Sequence, residues 1–505
     1  MRPPAAANAT WDFLCRHRHR LLGAAAALAL ATVAAVAGSY LFYPGYLDHG
    51  EPSVALISWR LLEGIPAFTA LDDPRRIANL YGPVTHVIHA AAFALAGPSI
   101  AAGKAAAVVA AMLIPAAVFM GQRRRGIEAA LIGVVIAAAL ELLHVPTSIW
   151  NRPDSFLALI AAVAVWAANA ADPARAEWPK SVLIAVCGGL AVGLKIHGGI
   201  YVAPVVVWHC LNPHRGVRAF AVMCAVGAGV ALLPFAFPVF PLANHLAWFA
   251  PVIGKENPPA YVLNMLRYAA IYLVPVAFFA TAAMRAADAE ARRETVCLGA
   301  YLACLAAAIY LGAKPGAGIH YLYPFAALTI DLTLRHALRI IGRRMAVWGA
   351  IIAFAAIVMA IGVPVQKRYY RALHWQEVSQ IGAEIRTVMA TYPGRTVEMG
   401  VGENVASYPR TFYKTILVLA GNPYTLDAAV IIEWSKLGIP LADATLAMIR
   451  GCSTDLWLIP KGERPFTMVG YYGNRIFEPA FVDAFHGSYA KAKSMEFFDV
   501  WACKR

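Results

Sequence analysis

Apolar runs separated by short polar stretches repeat along residues 21–364. They lie at about 21–43, 99–120, 127–145, 154–170, 181–195, 198–211, 217–239, 265–284, 295–312, 320–334 and 345–364. An α-helix rises about 1.5 Å per residue, so some twenty residues cross the ~30 Å apolar core of a bilayer. The pattern predicts about eleven membrane-spanning helices, several of them short. Arginines gather in every second polar stretch: Arg16, Arg18 and Arg20, then 123–125, 215–218, 292–293 and 335–344. Basic loops stay in the cytoplasm, so the N-terminus is expected inside and the last run exits outward.

Two stretches break this rhythm. Residues 44–98 form a long outer loop, in which 81–96 is apolar but carries His86 and His89 and no basic flank. Counting it as a span would invert every later loop, so it is expected as a helix lying on the outer surface. After Pro364, helix-like stretches (374–391, 441–450) alternate with β-rich ones (395–399, 455–459, 497–501). This reads as a small α/β domain of ordinary size. The expected division is a cytoplasmic N-terminus (1–20), a transmembrane part (21–364) and a periplasmic α/β domain (365–505).

Composition agrees with a polytopic membrane protein. Of 505 residues 60% are hydrophobic and 14% charged, with mean hydropathy +0.59; soluble domains are about a quarter charged. The net charge of +14 sits in short clusters between apolar runs, which argues against a nucleic-acid partner. The first run is longer than a signal-peptide core and no clean cleavage site follows it, so it is read as an uncleaved helix. The eight cysteines include no CxxC pair. Cys452 and Cys503 lie in the polar tail and can pair if that tail is outside the cytoplasm.

The chemistry concentrates where the first run ends, at Asp48-His49-Gly50-Glu51. Ionisable groups at a membrane edge are costly and commonly line a polar cavity. On the assigned topology Tyr81, Arg152, Asp154, Lys195, His197, Lys314, His320 and Tyr321 fall on the same outer side. Carboxylates with nearby lysine, arginine and histidine suit a phosphate-bearing substrate that needs a base. Plainer readings stand beside this one. Asp48 and Glu51 can be solvated loop charges capping a helix that begins near Pro52. Asp154 can cap the helix it opens, and Lys195 can snorkel to the interface. Asp48, His49 and Glu51 could also ligate a divalent metal, although one loop does not complete a site, and no cofactor is required.

Several motifs recur in an order that resembles a known family. They are the outer loop opening on Asp48, Tyr81-Gly82-Pro83 with Gly97-Pro98-Ser99, Arg152-Pro153-Asp154-Ser155, Gly193-Leu194-Lys195, and Gly318-Ile319-His320-Tyr321. In this order they resemble the GT-C glycosyltransferases that use lipid-phosphate sugars, such as protein O-mannosyltransferases and lipid A aminoarabinose transferases. The chain departs from them at 81–83, where such families often have His-Pro-Pro, and the resemblance covers about residues 15–335.

The resemblance implies an inverting transferase of the bacterial inner membrane, moving a sugar from a polyprenyl-phosphate donor to a hydroxyl acceptor at its periplasmic face. The acceptor would be an envelope glycolipid, a polysaccharide or a protein. Asp48 would be the base, with Glu51 sharing that role, orienting Asp48 or capping. Arg152, Lys195 and Lys314, with His197 and His320, would hold the donor phosphate; His49, Tyr81, Asp154 and Tyr321 would support them. The alternative is a flippase for lipid-linked sugars, although transporters commonly show related halves and midplane sites. The tail either binds an acceptor glycan through Trp434, Tyr471 and Tyr472 or only covers the active site, and the sequence leaves both open.

Overall fold

The computed structural model describes residues 5–504 apart from 78, 172–176, 213, 254–255, 284–288, 342–344 and 472. Arg343, Arg344 and Tyr472 therefore lie outside the described residues. Helix α1 (Ala5–Phe42) leads to the Asp48 loop and two short helices, α2 (Gly50–Leu62) and α3 (Pro83–Ala96). Then come α4 (Ile100–Gln122), α5 (Ile127–Leu143), α6 (Asp154–Ala170), α7 (Trp178–Leu194), α8 (Ala203–Cys210) and α9 (Gly216–Leu232). The helical part continues with α10 (Leu242–Ile253), α11 (Pro259–Ala283), α12 (Ala289–Gly312), α13 (Ala326–Ile341) and α14 (Met345–Ala372).

Every expected apolar run is helical over most of its length. Among the described residues, six stretches are long and apolar enough to cross a membrane: His17–Phe42, Ile100–Arg125, Gly216–Ala236, Pro259–Phe278, Arg292–Gly312 and Ile351–Thr391. Large apolar side chains stand bare on them, such as Phe42, Val217 and Phe278. Contiguous exposed apolar surface of this kind needs lipid against it. The protein is a polytopic helical membrane protein.

Where helices meet, small residues let backbones approach. A Cβ on Gly189 of α7 would lie 2.4 Å from the Gly227 carbonyl oxygen of α9. Alanine dominates the core face of α6.

Four expectations change. The run 198–211 divides into a 3-10 turn at Gly198–Tyr201 and the eight-residue α8, because Gly198 packs on the Ala191 carbonyl and Pro204 opens a new helix. The loop 240–264 contains α10, an amphipathic helix that the loop's proline and asparagine residues disguise. Pro364 does not end α14, which runs to Ala372; membrane helices tolerate proline where neighbours satisfy the freed carbonyl. The polar residues that open the tail, from Gln366 on, thus continue the helix. Finally, α3 presents lipid-facing Val87 and Leu95 but turns both histidines inward, fully buried. His86 Nδ1 is 3.2 Å from Ser58 Oγ, and His89 Nδ1 is 2.9 Å from the Gly103 carbonyl oxygen.

The tail comprises α15 (Trp375–Thr391), β1 (Val397–Met399), α16 (Lys414–Leu419), α17 (Ala428–Lys436), α18 (Asp443–Arg450), β2 (Leu456–Pro460), α19 (Pro479–Ser488), β3 (Tyr489–Ser494) and β4 (Phe498–Cys503). The sheet order is β1-β2-β4-β3, with β1 parallel to β2 and the other pairs antiparallel. Central β2 is buried throughout, whereas edge strand β3 is exposed and carries Lys491 and Lys493, charges that discourage further pairing. Cys452 and Cys503 form a disulfide between the turn before β2 and the end of β4. The tail sits on the first outer loop: the Arg76 N–H donates to the Thr425 carbonyl, and the Asp427 N–H donates back to the Arg76 carbonyl at 2.8 Å.

Candidate active site

The Asp48 loop is held from beneath. Lys104, buried in α4, donates to the carbonyl oxygens of Tyr40 (3.0 Å), Tyr43 (2.7 Å) and Gly45. Its ammonium lies over the Tyr40 ring at 4.4 Å. Three carbonyls pointed at one cation fix the elbow where α1 ends. Glu51, fully buried in the first turn of α2, accepts from the backbone N–H of Leu47 (2.8 Å) and Asp48 (3.0 Å). Its other oxygen accepts from the Tyr40 hydroxyl and, at 3.3 Å, from the Asn151 N–H. Glu51 thereby clamps the Asp48 loop to the Arg152 loop. Its contacts are those of a group that orients the Asp48 loop.

Asp48 is displayed at the other end of that clamp. Its side chain is 25% exposed, and one oxygen accepts from Arg152 Nη1 at 2.8 Å and from the Gly50 N–H at 2.8 Å. Burial favours the neutral acid, but the charges of His49 and Arg152 and the Gly50 N–H hold the carboxyl below its ordinary range. Asp48 is a carboxylate at neutral pH. The Arg152 guanidinium stacks over Trp150 at 4.0 Å, with the Tyr81 ring 5.5 Å away.

A second ion pair lies deeper. Lys195 Nζ is 2.7 Å from Asp154 Oδ1, with both side chains almost wholly buried, and Trp150 Nε1 donates to Asp154 Oδ2 at 3.0 Å. Asp154 is thus a partner of Lys195 and makes no side-chain cap to its helix. The Lys195 ammonium also faces Tyr321 (4.8 Å) and Tyr81 (5.4 Å). His197 stacks on Tyr321, 4.7 Å between ring centres, and His320 meets Trp150 edge-on. Burial, with Lys195 beside it, pushes His197 down to about 3, and burial also depresses His320. Burial thus favours the neutral imidazole at both positions.

Close backbone contact joins the two motif segments. A Cβ on Gly82 would fall 2.2 Å from the Gly193 carbonyl oxygen, and the Gly82 N–H donates to the Leu194 carbonyl at 2.8 Å. Glycine at 82 lets the Tyr81 turn rest directly on the chain that presents Lys195.

These groups face a cavity of about 430 Å³, within the usual range for small-molecule sites. Its wall includes His49, Tyr81, Arg152, Lys195, His197, Lys314 and Tyr321. Asp48 adjoins it through Arg152 and Gly50, while Glu51, Asp154 and His320 lie behind. The sequence did not single out Ser53, Asn79, Trp248, Phe249 and Glu433, which also line it. Trp434 of α17 forms part of the same wall, and Tyr471 packs against His49 at 6.2 Å. The amphipathic pattern of α10 was the available signal for Trp248. Ser53 and Glu433 gave none, because their neighbourhood forms only when the tail returns. Asp48, His49 and Glu51 do not converge as metal ligands: Glu51 points inward, Asp48 toward Arg152. No group of three such side chains is placed to hold a metal among the described residues.

The sequence matches no family model and no curated protein. Solved structures do resemble the whole chain. ArnT from Cupriavidus metallidurans bound to undecaprenyl phosphate is 14% identical, with TM-score 0.57 over 94% of this chain and 97% of that one. Its apo state gives TM-score 0.56 at the same identity and coverage. The archaeal oligosaccharyltransferase AglB from Archaeoglobus fulgidus gives 0.49 at 11% identity, over 89% of this chain and 70% of that one. The match to ArnT takes in the helical part and the tail together, and the chain has the GT-C fold.

Proposed function

We propose that the protein is an inverting glycosyltransferase of the bacterial inner membrane that takes a sugar from a polyprenyl-phosphate donor at the periplasmic face. The observation that carries this reading is the Asp48–Arg152 pair at the edge of a cavity lined by Lys195 and Lys314. The solved ArnT complex holds undecaprenyl phosphate on the same fold. Donor phosphate entering the cavity competes with Asp48 for Arg152. Once released, the Asp48 carboxylate is the stronger base.

Asp48 then takes the acceptor hydroxyl proton as the acceptor oxygen bonds to the anomeric carbon. The bond from that carbon to the phosphate oxygen breaks, and its electron pair leaves with the polyprenyl phosphate. Arg152 and Lys314 stabilise the departing charge. Lys195, paired with Asp154, sets the positive field of the floor, and Tyr81 and Tyr321 hold it in place. The acceptor is an envelope glycolipid, polysaccharide or protein, and the tail is a periplasmic α/β domain.

Mass spectrometry of envelope glycans and glycolipids in a deletion strain tests this directly. Wild type at matched membrane level should restore a missing sugar that Asp48→Asn does not, since a general base contributes about 10²–10⁴-fold. Full restoration by Asp48→Asn would remove Asp48 from the reaction and favour a transport role.

A further inference from the structure

A second cavity, of about 250 Å³, lies on the far side of α17. The two cavities share Trp248, Val430 and Trp434 as a common wall. The two indoles are in contact, 4.1 Å between ring centres, and Trp248 is anchored by its Nε1 donating to the Thr69 carbonyl. Inside the second cavity the Arg76 guanidinium lies over the Trp434 ring at 5.8 Å. Arg76 is only 4% exposed, and its Nε has no hydrogen-bond partner among the described residues. Its Nη1 is committed to the Leu71 carbonyl. Arg475 and Glu478 stand exposed among the lining residues. Glu478 accepts from the Leu441 N–H at 3.3 Å.

A guanidinium selects an oxyanion, and a neighbouring indole face supplies an apolar surface for a sugar ring. Arg76, Arg475 and Glu478 are the charged groups of its lining, with Asp72 and Asp73 near enough to act on Arg76. Its volume falls below the ~300 Å³ at which drug-sized pockets begin, which suits one sugar residue rather than an oligosaccharide.

We infer that this cavity is a binding subsite for an acidic sugar residue, its carboxylate or phosphate on Arg76 and Arg475 and its ring beside Trp434. Calling that residue part of the acceptor rests on the transferase reading, with the acceptor anchored here while another of its sugars reaches Asp48. Binding itself does not depend on that reading.

The test uses the full chain in nanodiscs and saturation-transfer NMR with glucuronic acid, glucose 6-phosphate, glucose and inorganic phosphate. An acidic sugar should bind at least ~10-fold tighter than glucose or inorganic phosphate. Whether the carboxylate or the phosphate sugar binds tighter identifies the anionic group. Arg76→Gln should abolish the preference for charge, and Arg475→Ala, at an exposed position that folding tolerates, should weaken binding several-fold. Asp48→Asn should bind as wild type, which separates failure of this subsite from failure of the transferase. Equal binding of glucose, inorganic phosphate binding as tightly as either acidic sugar, no binding of either acidic sugar, or wild-type binding by Arg475→Ala would overturn the subsite.

Discussion

Asp48 and Arg152 are 104 residues apart in sequence and 2.8 Å apart in space, and their pairing sets the protonation of the site. Because Arg152 and His49 hold the Asp48 carboxyl below its ordinary range, the acid limb of kcat/KM should lie below about pH 4, the unperturbed carboxylate value. Arg152→Gln removes one of those charges and leaves burial to act, so the limb should move upward; a pH–rate profile of the two proteins measures it. Glu51→Gln tests the clamp separately. Losing a charged acceptor of several N–H and O–H donors should cost about 2–3 kcal/mol of stability. If Glu51 only positions Asp48, kcat should fall with donor KM little changed and the pH limb unmoved. Asp48, Arg152 and Lys195 were legible in the sequence because charge at a membrane edge stands out against apolar runs. The pairing of Lys195 with Asp154 was not, since a carboxylate opening a helix looks the same whether it caps or meets a lysine.

At the level of elements, the turn before α3 and the end of α7 act as one surface because Gly82 has no side chain. Gly82→Ala should displace that turn and lower thermal stability by about 1–3 kcal/mol, the usual range for overpacking, with activity falling further as Tyr81 and Lys195 separate. The tail is fastened through Asp427, which caps α17 by accepting from the Ala429 N–H at 3.0 Å. It also accepts from Lys414 (2.7 Å), Tyr424 and Ser53 of α2. Burial would raise the Asp427 carboxyl, but Lys414 and these donors hold it below its ordinary range. A depressed folded value means that the ionised form stabilises the fold. That contribution is complete above the unfolded value near pH 4 and is lost as pH falls through the lower folded one. Melting curves should therefore show an acid-labile step below about pH 4 in wild type that Asp427→Asn lacks, the variant being less stable at pH 7. Hydrophobic periodicity located the long helices and strands β1, β2 and β4. It missed α10, α16, α17, α19 and β3, because helices of six to twelve residues hold too few turns to show a period and an exposed lysine-rich edge strand has no apolar face.

For the whole molecule, the tail and the outer loop must share a compartment, since Arg76 and Asp427 exchange backbone hydrogen bonds. A disulfide between Cys452 and Cys503 suits an oxidising compartment. In a background without other thiols, a membrane-impermeant maleimide should label Ser453→Cys in intact cells, and Arg124→Cys only after permeabilisation. Labelling of Arg124→Cys alone would invert the topology. Loop charge gave the expected orientation, but the sequence could not show that the tail closes the site, because the partners are hundreds of residues apart.

That closure bears on how the protein is made. The larger cavity takes part of its wall from Ala429, Val430, Glu433 and Trp434, and Ser53 meets Asp427 across 374 residues. A nascent chain that has inserted all its helices still lacks the part of the wall that α17 provides. The enclosure is complete only when α17 has folded, so a chain stalled or cleaved before α17 would leave the cavity open on that side. On the transferase reading proposed above, an unfinished copy would present its donor site incompletely walled.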